Sequence, residues 1–104
     1  MDTLGLARLV SKHSIVEAVK DQVSADLAGE AAILNLKSGV YYGLNEVGAR
    51  IWQLMQEPRT VTTIRDTLLE EYEVEPDSCE RDLLALLRDL AIAGLIEVRD
   101  EAAA

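Results

Sequence analysis

The feature that most constrains this chain is a change of hydrophobic period at Leu44. Between Ile15 and Leu44 the apolar residues fall in short runs separated by turn signals. Asp26-Leu27-Ala28-Gly29-Glu30 precedes one run and Lys37-Ser38-Gly39 precedes the next. These read as two hairpin turns joining three antiparallel strands at 23–27, 31–36 and 40–44, with 15–19 as a further extended piece. Behind Asn45, a good N-cap residue, Leu44, Val47, Gly48, Ile51, Trp52 and Met55 recur at helical spacing. The spacing predicts a first helix over 46–56, stopped by Glu57-Pro58 because the residue before proline is pushed out of the helical region. Thr60 caps a second helix with Val61, Ile64, Leu68, Leu69 and Tyr72 on its apolar face, and a third is expected over 77–93. Leu95-Ile96-Glu97-Val98 follows as an extended tail against the core, after Gly94 as helix stop. Strands first and three short helices second define an α+β domain of winged helix-turn-helix-like outline, with a three-stranded antiparallel sheet. The expected organisation is a flexible segment over 1–14, one domain over 15–98 and a frayed Ala-rich tail over 99–104.

The third helix carries more apolar surface than one contact needs. Leu83, Leu87, Leu90 and Gly94 form the centre of its arc, flanked by Cys79 and Leu86 on one side and by Leu84, Ala91 and Leu95 on the other. That arc covers about half the circumference, where docking on one core surface needs a stripe of about 100°. Either the helix packs on two parts of its own domain, or one flank lines a groove. Ile92 points away from the arc and fits neither.

Charge and chemistry exclude several functions. The chain of 104 residues has a formal net charge of −9, which disfavours nucleic acid because a duplex demands a basic face. Asp66, Glu70, Glu71, Glu73, Glu75, Asp77, Glu80 and Asp82 fall in one stretch where Arg81 is the only base. Such a cluster is a solvated surface or a steering field for a basic partner. It lacks the spacing and central glycine of a calcium loop, so no metal or other cofactor is expected. With one histidine, His13, in a polar stretch, and one cysteine, Cys79, on the apolar arc where a buried inert thiol is expected, no catalytic dyad can be assembled. The lone cysteine also rules out an internal disulfide and suits a reducing compartment. Neither a secretory signal nor a membrane span is legible, so a cytoplasmic protein without membrane contact is expected.

Gly39-Val40-Tyr41-Tyr42-Gly43-Leu44-Asn45 joins a strand of strong β propensity directly to a helix cap. In a three-strand meander, 40–44 is an edge strand carrying neither charge nor proline to blunt it, and such an edge invites a partner strand. The alternative is that 15–19 or 95–98 pairs there.

These residues resemble the PqqD-like proteins, or RiPP recognition elements, most closely the stand-alone versions from lasso-peptide clusters. The likeness runs from about Val16 to Val98. Its carriers are Gly29-Glu30-Ala31-Ala32-Ile33-Leu34-Asn35-Leu36, Ser38-Gly39-Val40-Tyr41-Tyr42-Gly43-Leu44-Asn45, Gly48-Ala49-Arg50-Ile51-Trp52, Thr60-Val61, and Asp82-Leu83-Leu84-Ala85-Leu86-Leu87 through Leu90 to Gly94-Leu95-Ile96. The resemblance implies a non-catalytic domain that takes the leader of a precursor peptide as an added strand between its third strand and third helix. It then presents that leader to a leader protease, a cyclase or another modifying enzyme. The implied binding surface is Val40, Tyr41, Tyr42, Gly43 and Leu44 with Asp82, Leu83, Leu86, Leu87 and Leu90. A monomer or weak homodimer is expected. The rival is a winged-helix DNA-binding regulator, which shares the outline but not the electrostatics; an enzyme is disfavoured for want of reactive residues.

Overall fold

Two tight turns build the first sheet. In the computed structural model, which describes residues 10–100, Ala28 and Gly29 both take positive φ, 56° and 90°, the backbone that a two-residue hairpin turn requires. They join β2 (Gln22–Leu27) to β3 (Glu30–Asn35) in a register running from Gln22↔Asn35 to Leu27↔Glu30. Gly39, with φ 76°, lies in the second turn, and β4 (Tyr41–Leu44) pairs back on β3 from Leu34↔Tyr41 to Ala31↔Leu44. The strand order is β2-β3-β4, so β4 lies at an edge.

The remaining extended pieces form a second sheet that the hydrophobic pattern did not reveal. β1 (Ser14–Ala18) is its centre, pairing on one side with β6 (Ile96–Asp100) and on the other with the two-residue β5 (Arg59–Thr60), all antiparallel. The two candidates for covering β4 therefore pair with each other, and among the described residues no strand pairs with the outer edge of β4. Structural contacts also lie outside 15–98. Val10 is buried in the core, Ser14 opens β1, and β6 extends to Asp100 because β1 supplies its ladder partners. The expectations for residues 1–9 and 101–104 lie outside the described residues.

The helices follow their caps. Asn45 accepts from the Gly48 amide at 2.9 Å and starts α1 (Glu46–Leu54), which ends two residues before the expected stop. Thr60 accepts from Thr63 at 3.1 Å and starts α2 (Val61–Glu71); α3 (Pro76–Ile92) has proline in its first turn, where the missing amide costs no hydrogen bond. Gly94, at φ 73°, ends α3. The core between helices and sheets is aliphatic, with Val16, Ile33, Met55, Val61, Ile64, Leu87, Leu90 and Leu95 fully buried. Trp52 on α1 completes it, and Ile92 is about half exposed. No described helix is long and apolar enough to cross a membrane.

Candidate functional site

Alternation along β4 decides which of its groups are free. The Asn35 amide donates to the Val40 carbonyl at 2.8 Å, marking Asn35 and Val40 as a hydrogen-bonded pair of the ladder. Since such pairs alternate with non-bonded ones in an antiparallel ladder, Tyr42 and Leu44 bond inward to β3, while the amides and carbonyls of Tyr41 and Gly43 point to the open edge. Side chains alternate across the other axis: Leu44 is buried and Tyr42 half-buried on the helix side, Tyr41 exposed on the far side.

Beside this edge lies an apolar cleft of about 450 Å³, in the size range of ligand sites. Tyr42, Gly43 and Leu44 of β4 form one wall, and Ser78, Cys79, Asp82, Leu83 and Leu86 of α3 face them. Asn45, Val47, Gly48 and Ile51 close the α1 end, and Leu68, Tyr72 and Val74 close the α2 end. A Cβ on Gly48 would stand 3.1 Å from the Leu44 side chain, so glycine lets α1 start tight against the strand.

Asn35 holds the two walls together. Only 6 % exposed, it donates through Nδ2 to the carbonyls of Ala93 and Gly94 at 3.2 and 3.1 Å, and accepts through Oδ1 from the amides of Lys37 and Ser38 at 2.9 and 3.2 Å. One side chain thus ties the β3–β4 turn to the end of α3.

The α3 wall is acidic. Within the acidic stretch, Glu71 is held by Arg50 through bonds of 2.8 and 2.7 Å, Glu80 and Asp66 by Arg65, and Glu75 caps α3. The Arg50 bond lowers the Glu71 carboxyl below its ordinary range. Asp82 forms no ion pair among the described residues and stands exposed at the cleft. Burial, then the nearby Asp89 carboxylate on α3, raise the Tyr42 hydroxyl above its ordinary range. Burial is also the main cause that raises the Cys79 thiol, opposed by Arg65 and assisted by Asp82 and Glu80.

The structure divides the expected surface. Tyr42, Gly43, Leu44, Asp82, Leu83 and Leu86 line the cleft. Leu87 and Leu90 do not: both have zero exposure, because the centre of the α3 arc faces the core and only the Cys79–Leu86 flank faces the groove. Val40 and Tyr41 are exposed beside the cleft rather than in it. Cys79 is half-buried in the cleft wall, not sealed in the core as expected. The lining residues of α1 and α2 were missed because a helical apolar stripe reads as core throughout. Val74 carried a signal, as an isolated apolar residue between Glu73 and Glu75, and it is 45 % exposed. No cluster of metal-ligating side chains occurs among the described residues, and His13 is exposed in the turn before β1.

Comparison with known proteins bears on the same region. The family model described as coenzyme PQQ synthesis protein D (PqqD) matches residues 30–96. No curated protein matches the chain. Among solved structures, TbiB1 in complex with the TbiA(beta) leader peptide is 40 % identical with a TM-score of 0.72, over 78 % of this chain and 94 % of that one. A lasso peptide synthetase B1 complexed with the leader peptide is 28 % identical with a TM-score of 0.69, over 79 % and 96 %.

Proposed function

The chain belongs to the PqqD family, and from that premise we propose that it binds the leader of a ribosomally made precursor peptide by strand addition to β4 and holds it for modifying enzymes of the lasso type. One observation carries the reading: the unpaired edge of β4, with the Tyr41 and Gly43 peptide groups facing outward, borders an apolar cleft closed by α3. Strand addition draws affinity from main-chain hydrogen bonds and specificity from pockets that take alternate side chains. The edge offers the first and the cleft the second. Both similar solved structures contain a leader peptide, which supports the same reading.

The role is positioning. A leader held on this domain keeps the attached core peptide at high effective concentration beside an enzyme bound to the same assembly. No step of bond making is assigned to the chain's own residues. The DNA-binding alternative lacks a basic face, since the exposed side of α3 sets Asp77, Asp82 and Asp89 against Arg81 and Arg88 in a chain of net charge −9.

Calorimetry with the synthetic leader of the cognate precursor is expected to give a Kd of about 1 μM or tighter, near −8 kcal/mol. Absence of heat at tens of micromolar protein rejects the reading. Cys79 supplies a second readout because it is the only cysteine and lines the cleft. Its raised pKa leaves little thiolate at pH 8, so alkylation is slow there and accelerates as pH rises past the ordinary thiol value of about 8.5. Saturating leader is expected to slow that alkylation at least tenfold, and an unchanged rate counts against occupancy of the cleft.

Electrostatics of the α3 wall predict a smaller effect. Asp82→Lys is expected to weaken a leader carrying lysine or arginine by about 0.5–1 kcal/mol at low salt, the scale of an exposed ion pair, and to leave a leader with those residues changed to glutamine unaffected. Equal loss for both leaders contradicts a charge role for Asp82.

A further inference from the structure

α2 ends on the wrong charge. Glu70 and Glu71 close its last turn, where no basic residue stands, although the free carbonyls at a helix C-terminus disfavour carboxylates. Glu71 is nevertheless held in place. Arg50, from the middle of α1, grips both of its oxygens, Nε donating to Oε1 at 2.8 Å and Nη2 to Oε2 at 2.7 Å, and Nη1 donates to Gln53 Oε1 at 3.4 Å. Two parallel bonds fix orientation as well as distance. Both partners are about one-third exposed, and an exposed ion pair adds little to global stability, so stability alone is a poor reason for an acid at this place.

The fork stands where the cleft has least support. Gly48 and Ile51, on either side of Arg50 along α1, line the cleft, and so do Leu68, Tyr72 and Val74 around Glu71. Arg50 and Glu71 themselves do not. α1 and α2 make little close backbone contact, and the fork is the one polar link between them among the described residues. Past Glu71 the chain leaves the helix, with Tyr72 extended at φ −130° and ψ 147°, and residues 72–75 belong to no helix or strand. No main-chain hydrogen bond reaches Glu73 or Val74 among the described residues. The position of this wall therefore depends on its two ends, Glu71 held by Arg50 and Glu75 at the cap of α3. We propose that the Arg50–Glu71 fork is a positioning device, which sets the spacing between α1 and the Tyr72–Val74 segment and so shapes the end of the cleft that receives side chains of the leader. This rests on the leader-binding reading above. It adds that leader affinity depends on two residues the leader does not touch, because a wall fixed in advance lowers the ordering cost of binding.

The test uses the full chain, the synthetic leader of the cognate precursor and iodoacetamide. Arg50→Met and Glu71→Met each remove the fork while keeping an unbranched side chain suited to a helix. Arg50→Glu with Glu71→Arg rebuilds it in reverse. Thermal midpoints are expected to stay within about 5 °C of the parent, since Glu71→Met also relieves the charge at the end of α2. Leader affinity is expected to fall about tenfold in both single variants and to return to within about twofold of the parent in the reversed pair. Alkylation of Cys79 in the leader-free domain is expected to run at least about threefold faster in the single variants as the wall loosens. Cys79 reports on the same cleft, and the charges acting on its thiol, Arg65, Asp82 and Glu80, are left in place. Single variants that bind leader and alkylate like the parent overturn the inference. So does a loss of affinity in Arg50→Met that Glu71→Met does not share, since Arg50 then meets the leader itself. Weakened binding with unchanged alkylation overturns it too, because the wall has not moved. A parent that gives no heat with leader rejects the underlying reading instead, while the alkylation rates of the free domain still decide whether the fork holds the wall.

Discussion

Gly43→Pro is expected to leave the domain folded and to weaken leader binding at least about 30-fold, or 2 kcal/mol. The Gly43 amide points to the open edge of β4, so proline there removes a donor that no group of the domain uses. A Cβ at Gly43 meets nothing within 4 Å, and φ there is not positive. Tyr42, which precedes it, already sits in a strand, the region a following proline favours. The leader loses one hydrogen bond, and its carbonyl is left facing the proline ring; together these cost about 2–4 kcal/mol. Tyr42→Pro behaves in the opposite manner. Its amide bonds inward to Ile33, so proline breaks the ladder and destabilises the fold by about 3 kcal/mol or more. Thermal unfolding and leader calorimetry on the two variants separate these effects. Normal leader binding by folded Gly43→Pro rejects strand addition at this edge.

Asn35→Ala is expected to lose about 2–4 kcal/mol of stability, a fall in midpoint of roughly 10–20 °C for a domain of this size. The substitution removes four hydrogen bonds at once, those to the Ala93 and Gly94 carbonyls and those from the Lys37 and Ser38 amides, all organised around one buried amide group. No hydrophobic gain offsets the loss, because alanine leaves the space beside Gly94 empty. Because Asn35 ties the β3–β4 turn to the end of α3, leader affinity falls as well, even at temperatures where the variant is folded. Denaturant unfolding checks the first effect. A midpoint within 3 °C of the parent means the tie is not holding the two walls.

Several elements were legible because their signals are local. The Ala28–Gly29 and Lys37–Gly39 turns, the caps at Asn45 and Thr60, the stop before Pro58, and the helical stripe of α3 each depend on a few neighbouring residues, and each appears within two residues of its expected place. β5 was not legible, since two residues carry no period. Asn35 gave no hint of its tie to Ala93 and Gly94, because those partners stand 58 and 59 residues away in the chain.

The candidate site divides along the same line. By itself the sequence determined the order of strands before helices, the acidic charge, a single histidine and a single cysteine, and an unblunted strand at β4. Tertiary structure alone decided that β1 and β6 pair with each other and leave β4 open, and that the Cys79–Leu86 flank of α3 faces the groove while Leu87 and Leu90 face the core. It also decided that β2 turns its apolar side outward. The physical reason is that periodicity records which side chains share a face of one element. Which surface that face meets depends on where the intervening helices return the chain, and no local pattern encodes it.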